Sequence, residues 1–203
     1  MLDLIPAGRV TAQTFTVLKS FGILTNISGF NPQSTLVQGA DGTLYGTARN
    51  GEGSVAGTIF KVLPDGSGFT VLKWFTNYMD GANPYAGLAL SGNVLYGTTP
   101  DGGSSNYGTV FSVNTDGTGY TVLKHFTGGD GAHPYYAGLT LSNSVLYGAT
   151  YFGGSSNAGT VFKVNVDGTG YSVLKHLAGS NGANPNAALT WMAIRASPAT
   201  RWT

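Results

Sequence analysis

The sequence predicts an all-β fold, a β-propeller-like array of four-stranded antiparallel blades. Three observations predict it. A 51-residue repeat runs through the chain. Each repeat divides into four short β-prone stretches separated by Gly, Asn and Asp turns. The composition of the 203 residues is rich in Gly (32) and aromatics (12%), with only 9% charged residues and no cysteine.

The repeat is explicit. Val-Leu-Lys begins at Val17, Val71, Val122 and Val173, the last two steps being 51 residues. Leu-Tyr-Gly recurs at Tyr45, Tyr96 and Tyr147, and Gly57, Gly108 and Gly159 each open Gly-Thr-(Ile/Val)-Phe. Asp65-Gly66, Asp116-Gly117 and Asp167-Gly168 follow. Asn31-Pro32, Asn83-Pro84, His133-Pro134 and Asn184-Pro185 mark the other end of the unit. The single repeat domain spans 13–203, with units at about 22–70, 71–121 and 122–172 and a partial unit at 173–203. That gives about three full blades plus partial terminal blades.

The second unit shows the elements in order. Gly87 to Ser91 is the first strand, with Leu88 and Leu90 on one face. Ser91-Gly92-Asn93 turns the chain, since Gly and Asn tolerate positive φ. Val94 to Thr99 is the second strand, and a Gly/Ser loop over 101–106 leads to the third, Gly108 to Asn114. Asp116-Gly117-Thr118-Gly119 is the next turn, and Tyr120 to Phe126 the fourth strand. One such sheet cannot bury its own apolar face, so neighbours must stack. A propeller satisfies this best; a β-sandwich and a linear β-solenoid are the alternatives.

Composition excludes several functions. Net charge is +1, which gives no electrostatic footprint for nucleic acid. No apolar run is long enough to insert in a membrane as a helix. Glu52 is the lone glutamate, so a helical bundle is excluded.

The wording of the repeat resembles the bacterial GloVer tandem repeat, of the choice-of-anchor group. Leu-Tyr-Gly-Thr, Gly-Gly, Gly-Thr-Val-Phe-Lys-Val and Asp-Gly-Thr-Gly-Tyr-Thr-Val-Leu carry the likeness, over about residues 13–192. The resemblance implies an extracellular or cell-surface repeat protein, propeller-like. It brings no catalytic residues.

The ends depart from the pattern. Residues 1–12 read as a disordered leader or the remnant of a targeting segment, without an intact signal-peptide core. From Trp191 the repeat gives way to Trp-Met-Ala-Ile-Arg-Ala-Ser-Pro, the signature of a frameshift or altered terminus. An isolated fourth-type strand, Thr14 to Phe21, stands at the start, and a first-type strand near 187–192 at the end. Unpaired edges template association. Completion of partial blades between chains is therefore expected to involve Thr14, Phe15, Val17, Phe21, Leu189 and Trp191, in a closed ring or a filament.

Little in the sequence suggests chemistry. His125 and His176 occupy a repeated slot, where a unique catalytic residue is not expected. The Asp-Gly aspartates read as turn caps. Asp80 and Asp130 also read as turn residues, and Lys19, Lys73, Lys124 and Lys175 as charges protecting an outer edge. No metal-ligand spacing or phosphate loop stands out, so neither metal nor cofactor is expected. The aromatics that vary between units, Tyr85, Tyr107, Tyr135, Tyr136, Tyr151 and Phe152, are candidates for stacking on sugars or other flat ligands. The expected role is a non-enzymatic structural or interaction protein that self-assembles. A lectin-like propeller binding glycan is the second reading, and a propeller enzyme the third.

Overall fold

A computed structural model describes residues 16–20, 29–51, 53–76 and 78–189. The leader expected at 1–12, the residues Thr14, Phe15, Phe21 and Trp191, and residues 192–203 lie outside the described residues.

Three four-stranded antiparallel sheets follow one another along the chain. The first holds β1 (Val37–Gln38), β2 (Leu44–Ala48), β3 (Thr58–Val62) and β4 (Thr70–Trp74). The second holds β5 (Ala89–Ser91), β6 (Val94–Thr99), β7 (Thr109–Asn114) and β8 (Thr121–His125). The third holds β9 (Thr140–Ser142), β10 (Val145–Thr150), β11 (Thr160–Asn165) and β12 (Ser172–His176). Strand order within each sheet is sequence order, as four consecutive hairpin-linked strands require. In the second blade the two outer strands are each two residues shorter than the sequence predicts, the flanking residues leaving the ladder.

The turns form as their residues dictate. Gly92 has φ 55°, and Asn143 and Ser144 both adopt positive φ. The Asp116 carboxylate accepts the Thr118 backbone N–H at 2.9 Å and its hydroxyl at 2.7 Å. Asp65 and Asp167 make the same pair of bonds with Ser67 and Thr169.

The second blade buries one face against the first blade and the other against the third. Tyr45, Ile59, Leu72 and Phe75 of the first blade pack with Leu88, Leu95, Phe111 and Val113 of the second. One repeat later, Tyr96, Val110 and Phe126 pack with Leu139, Leu146, Phe162 and Val164. The two interfaces are the same surface used twice, as a stacked repeat requires.

A bulge sets this surface. In β3–β4, Ile59 pairs with Lys73 and Phe60 with Val71, leaving Leu72 as the extra residue. The same irregularity recurs in the other two blades. Alternation would send Leu72 and Lys73 to opposite faces, but a bulge lets both address the next blade. Leu72 joins the core, and the Lys73 ammonium lies 4.6 Å from the Tyr120 ring centroid. It also bonds Asp80 at 2.6 Å, while Tyr120 donates its hydroxyl to the Asp80 carbonyl at 2.5 Å. Lys124, Tyr171 and Asp130 repeat the arrangement. Lys73 and Lys124 are thus inter-blade clamps rather than edge charges, and Asp80 and Asp130 are their partners rather than plain turn residues.

The segment 16–20 takes the place of a fourth strand ahead of the first blade. A Cβ built on Gly66 would lie 2.6 Å from the Leu18 carbonyl oxygen. In the same way Gly117 faces Leu72 and Gly168 faces Leu123. Lys19 sits over Phe69 at 4.6 Å, the position Lys73 holds over Tyr120. At the other end, the Thr140 hydroxyl donates to the Leu189 carbonyl, placing Leu189 beside β9.

Candidate aromatic site at the central face

In an antiparallel blade the loop from second to third strand emerges on the same side as the connection to the next blade. The repeated Asn-Pro motif ties these two together. Asn83 has φ 58° and donates from Nδ2 to the Arg49 carbonyl at 3.2 Å. Asn184 does the same to the Tyr151 carbonyl at 2.9 Å. His133 stands where the other units have Asn, and its Nδ1 meets the Pro100 carbonyl at 2.9 Å. A carbonyl only accepts, so that nitrogen carries the proton. The imidazole replaces the amide in its structural task and adds a ring to the surface. Asp101 lies 3.3 Å from the same nitrogen.

All six aromatics singled out in the sequence lie in one connected cluster on this face. Tyr85 meets Tyr136 edge-on at 4.8 Å between centroids. Tyr135 lies 5.9 Å from Tyr136 and 5.8 Å from Tyr151. Tyr151 meets Phe152 at 4.7 Å. His133 stacks on Tyr135 at 5.6 Å and carries the chain of rings to Tyr107 at 5.8 Å. These separations and angles are ordinary for attractive ring pairs.

Electrostatics follow the packing. Burial, then the nearby Asp101 carboxylate, pushes the Tyr135 phenol above its ordinary range. Tyr136 is raised chiefly by its hydrogen bond to the Tyr85 phenol. Arg49, which the sequence did not single out, places its guanidinium 5.0 Å from the Tyr85 centroid. It occupies the repeat position of Pro100 and Tyr151, and that break in the pattern was the available signal.

Beside the cluster, four successive units converge on one cavity of about 320 Å³. Thr35, Gly87, Gly138 and Ala188 bring the entry of each blade's first strand to it, and Tyr85 and Tyr136 stand at its edge. The repeated histidines are elsewhere: His125 and His176 each accept a loop N–H, from Ser104 and Ser155, at 3.2 Å. Among the described residues, no group of three or more acidic, His or Cys side chains is placed to hold a metal ion.

A family model described as the Gloeobacter/Verrucomicrobia repeat matches residues 8–195. The chain belongs to that family. The repeat wording had pointed to it, and the match covers all three blades. Among solved structures, a chain of a nidogen/laminin complex, a propeller protein, is similar with a TM-score of 0.51 at 19% identity. The alignment covers 78% of this chain and 49% of that one, so this repeat protein spans about half the length of its neighbour. At that identity the likeness shows the fold alone, and the fold is a β-propeller arrangement. No curated protein matches the chain.

Of the residues expected to mediate self-association, Val17 and Leu189 are described. Val17 is 67% exposed and lines an apolar groove against Leu36, Phe60 and Val62 of the first blade.

Proposed function

We propose that this repeat protein is a non-enzymatic interaction protein whose role is self-assembly, by blade-to-blade contact between chains outside the cell. The carrying observation is that two leucines whose repeat equivalents join blades inside the chain are exposed at its two flanks. Leu36 is 46% exposed, whereas its repeat equivalents Leu88 and Leu139 are 8% exposed. Leu174 on the last blade is 49% exposed, against 8% for Leu72. The first flank offers Leu36 and the half-buried Leu44, while Phe60 and Val62, at positions that in later blades receive the preceding one, are buried. The last flank offers Val161 and Leu174, the positions that insert.

Two complementary but different surfaces on one chain make a heterologous contact, which closes into a ring or runs on as a filament. The docked segment 16–20 contributes Val17 and Leu18 to the first flank, and Leu189 lies at the last. An exposed apolar surface of this kind marks an interaction site. Its natural mate is a second copy, because repeat equivalence makes the fit already present twice within each chain.

Light scattering tests this reading with a charge placed on one flank. Leu174→Lys should reduce the native particle to the 20.9 kDa of one chain, while circular dichroism stays that of the parent. An assembly of unchanged mass in this variant overturns the proposed contact.

A further inference from the structure

We infer that the central face carries a binding site for an acidic saccharide, with sugar rings on Tyr85 and Tyr136 and a carboxylate on Arg49. The inference is independent of the assembly reading, because its residues lie at the mouth of the blades and not on their flanks.

The cavity of about 320 Å³ is at the lower end of the range for small-molecule sites, about 300–1,000 Å³. That suits one or two sugar units. Its edge offers two tyrosines set at 82° to each other, so a ligand meets one ring by its face and the other by its edge. The C–H face of a pyranose stacks on such a surface, and the phenol hydroxyls serve as hydrogen-bond partners. Gln33 and Thr35 add an amide and a hydroxyl at the same cavity, as sugar hydroxyls require.

Arg49 decides the charge. Its guanidinium rests on Tyr85, yet among the described residues it forms no ion pair, and its buried Nε has no hydrogen-bond partner. The clamp lysines Lys73 and Lys124, by contrast, are each satisfied by an aspartate. The nearby Asp101 is engaged with His133. A buried donor without a partner costs about 1–3 kcal/mol unless something satisfies it. A planar carboxylate matches the guanidinium fork. A cation that forms no ion pair among the described residues fits a single acid group on a neutral ring, and the chain's near-zero net charge offers no field for a polyanion such as nucleic acid.

Titration calorimetry on the full chain with trigalacturonate, with a mannuronate trimer and with neutral maltotriose tests the site. At least one uronate trimer should bind saturably and at least about tenfold more tightly than maltotriose, with affinity falling as salt rises. Arg49→Gln should remove that preference. Tyr136→Ala, at a ring 45% exposed and so tolerant of truncation, should weaken the uronate at least about tenfold. Neither variant should change particle mass. Absence of saturable uronate binding, or uronate affinity unchanged by both variants, overturns the inference.

Discussion

The glycine of Leu-Tyr-Gly illustrates how one residue type can be fixed by its neighbour across a strand pair. Gly97 pairs with Phe111, and a Cβ there would lie 2.5 Å from the Phe111 ring. Gly46 and Gly148 make room in the same way for Phe60 and Phe162. Gly97→Ala should therefore destabilise the fold by about 1–3 kcal/mol through overpacking, read from urea denaturation. A second prediction concerns alkaline pH. Burial chiefly, with Asp130 nearby, raises the Tyr171 phenol well above its ordinary value of 10.0, and Tyr120 behaves alike beside Asp80. A raised folded value means that the stability from these neutral phenols is full below pH 10.0 and is lost as pH climbs beyond it toward the folded values. Tyr171→Phe should flatten the fall in melting temperature above that pH. An equally steep fall in the variant would mean that other groups govern alkaline unfolding.

At the scale of elements, the sequence carried the strands and turns but not the bulge. Strand alternation and Asp-Gly turns are local signals, readable from a few residues. The extra residue at Leu72, Leu123 and Leu174 depends on pairing with another strand, so Val-Leu-Lys looks like ordinary alternation on paper. The role of the lysines was hidden for the same reason: it is exercised on the next blade. The six aromatics were legible as a set, because they vary where the rest of the repeat does not. Arg49 was not, since its meaning lies in its place over the Tyr85 ring, a contact made in space. The clamp yields a comparison within one molecule. Lys73 is held by Asp80 and Tyr120, whereas the equivalent Lys175 is exposed at the last flank. Lys73→Ala should lower stability by about 1 kcal/mol, and Lys175→Ala should leave it within about 0.5 kcal/mol in the dissociated chain. Equal losses in thermal melts would show that the clamp does not join the blades.

Over the whole molecule, duplication has an energetic consequence. On the proposed assembly, a blade that fits its successor also fits the first blade of another copy, so the surface that stabilises the propeller would serve association at its two flanks. Leu36 and Leu174 at those flanks are exposed, although their equivalents Leu88, Leu139 and Leu72 are buried. In the proposed assembly the face with its tyrosines and Arg49 would be displayed many times, which multiplies weak single-site affinity. The most direct measurement is the native mass by light scattering across a concentration series, for the parent and for Leu174→Lys. The account predicts a parent mass above 20.9 kDa, fixed for a ring or growing with concentration for a filament, and a variant at 20.9 kDa. A parent that stays at 20.9 kDa at every concentration would contradict it.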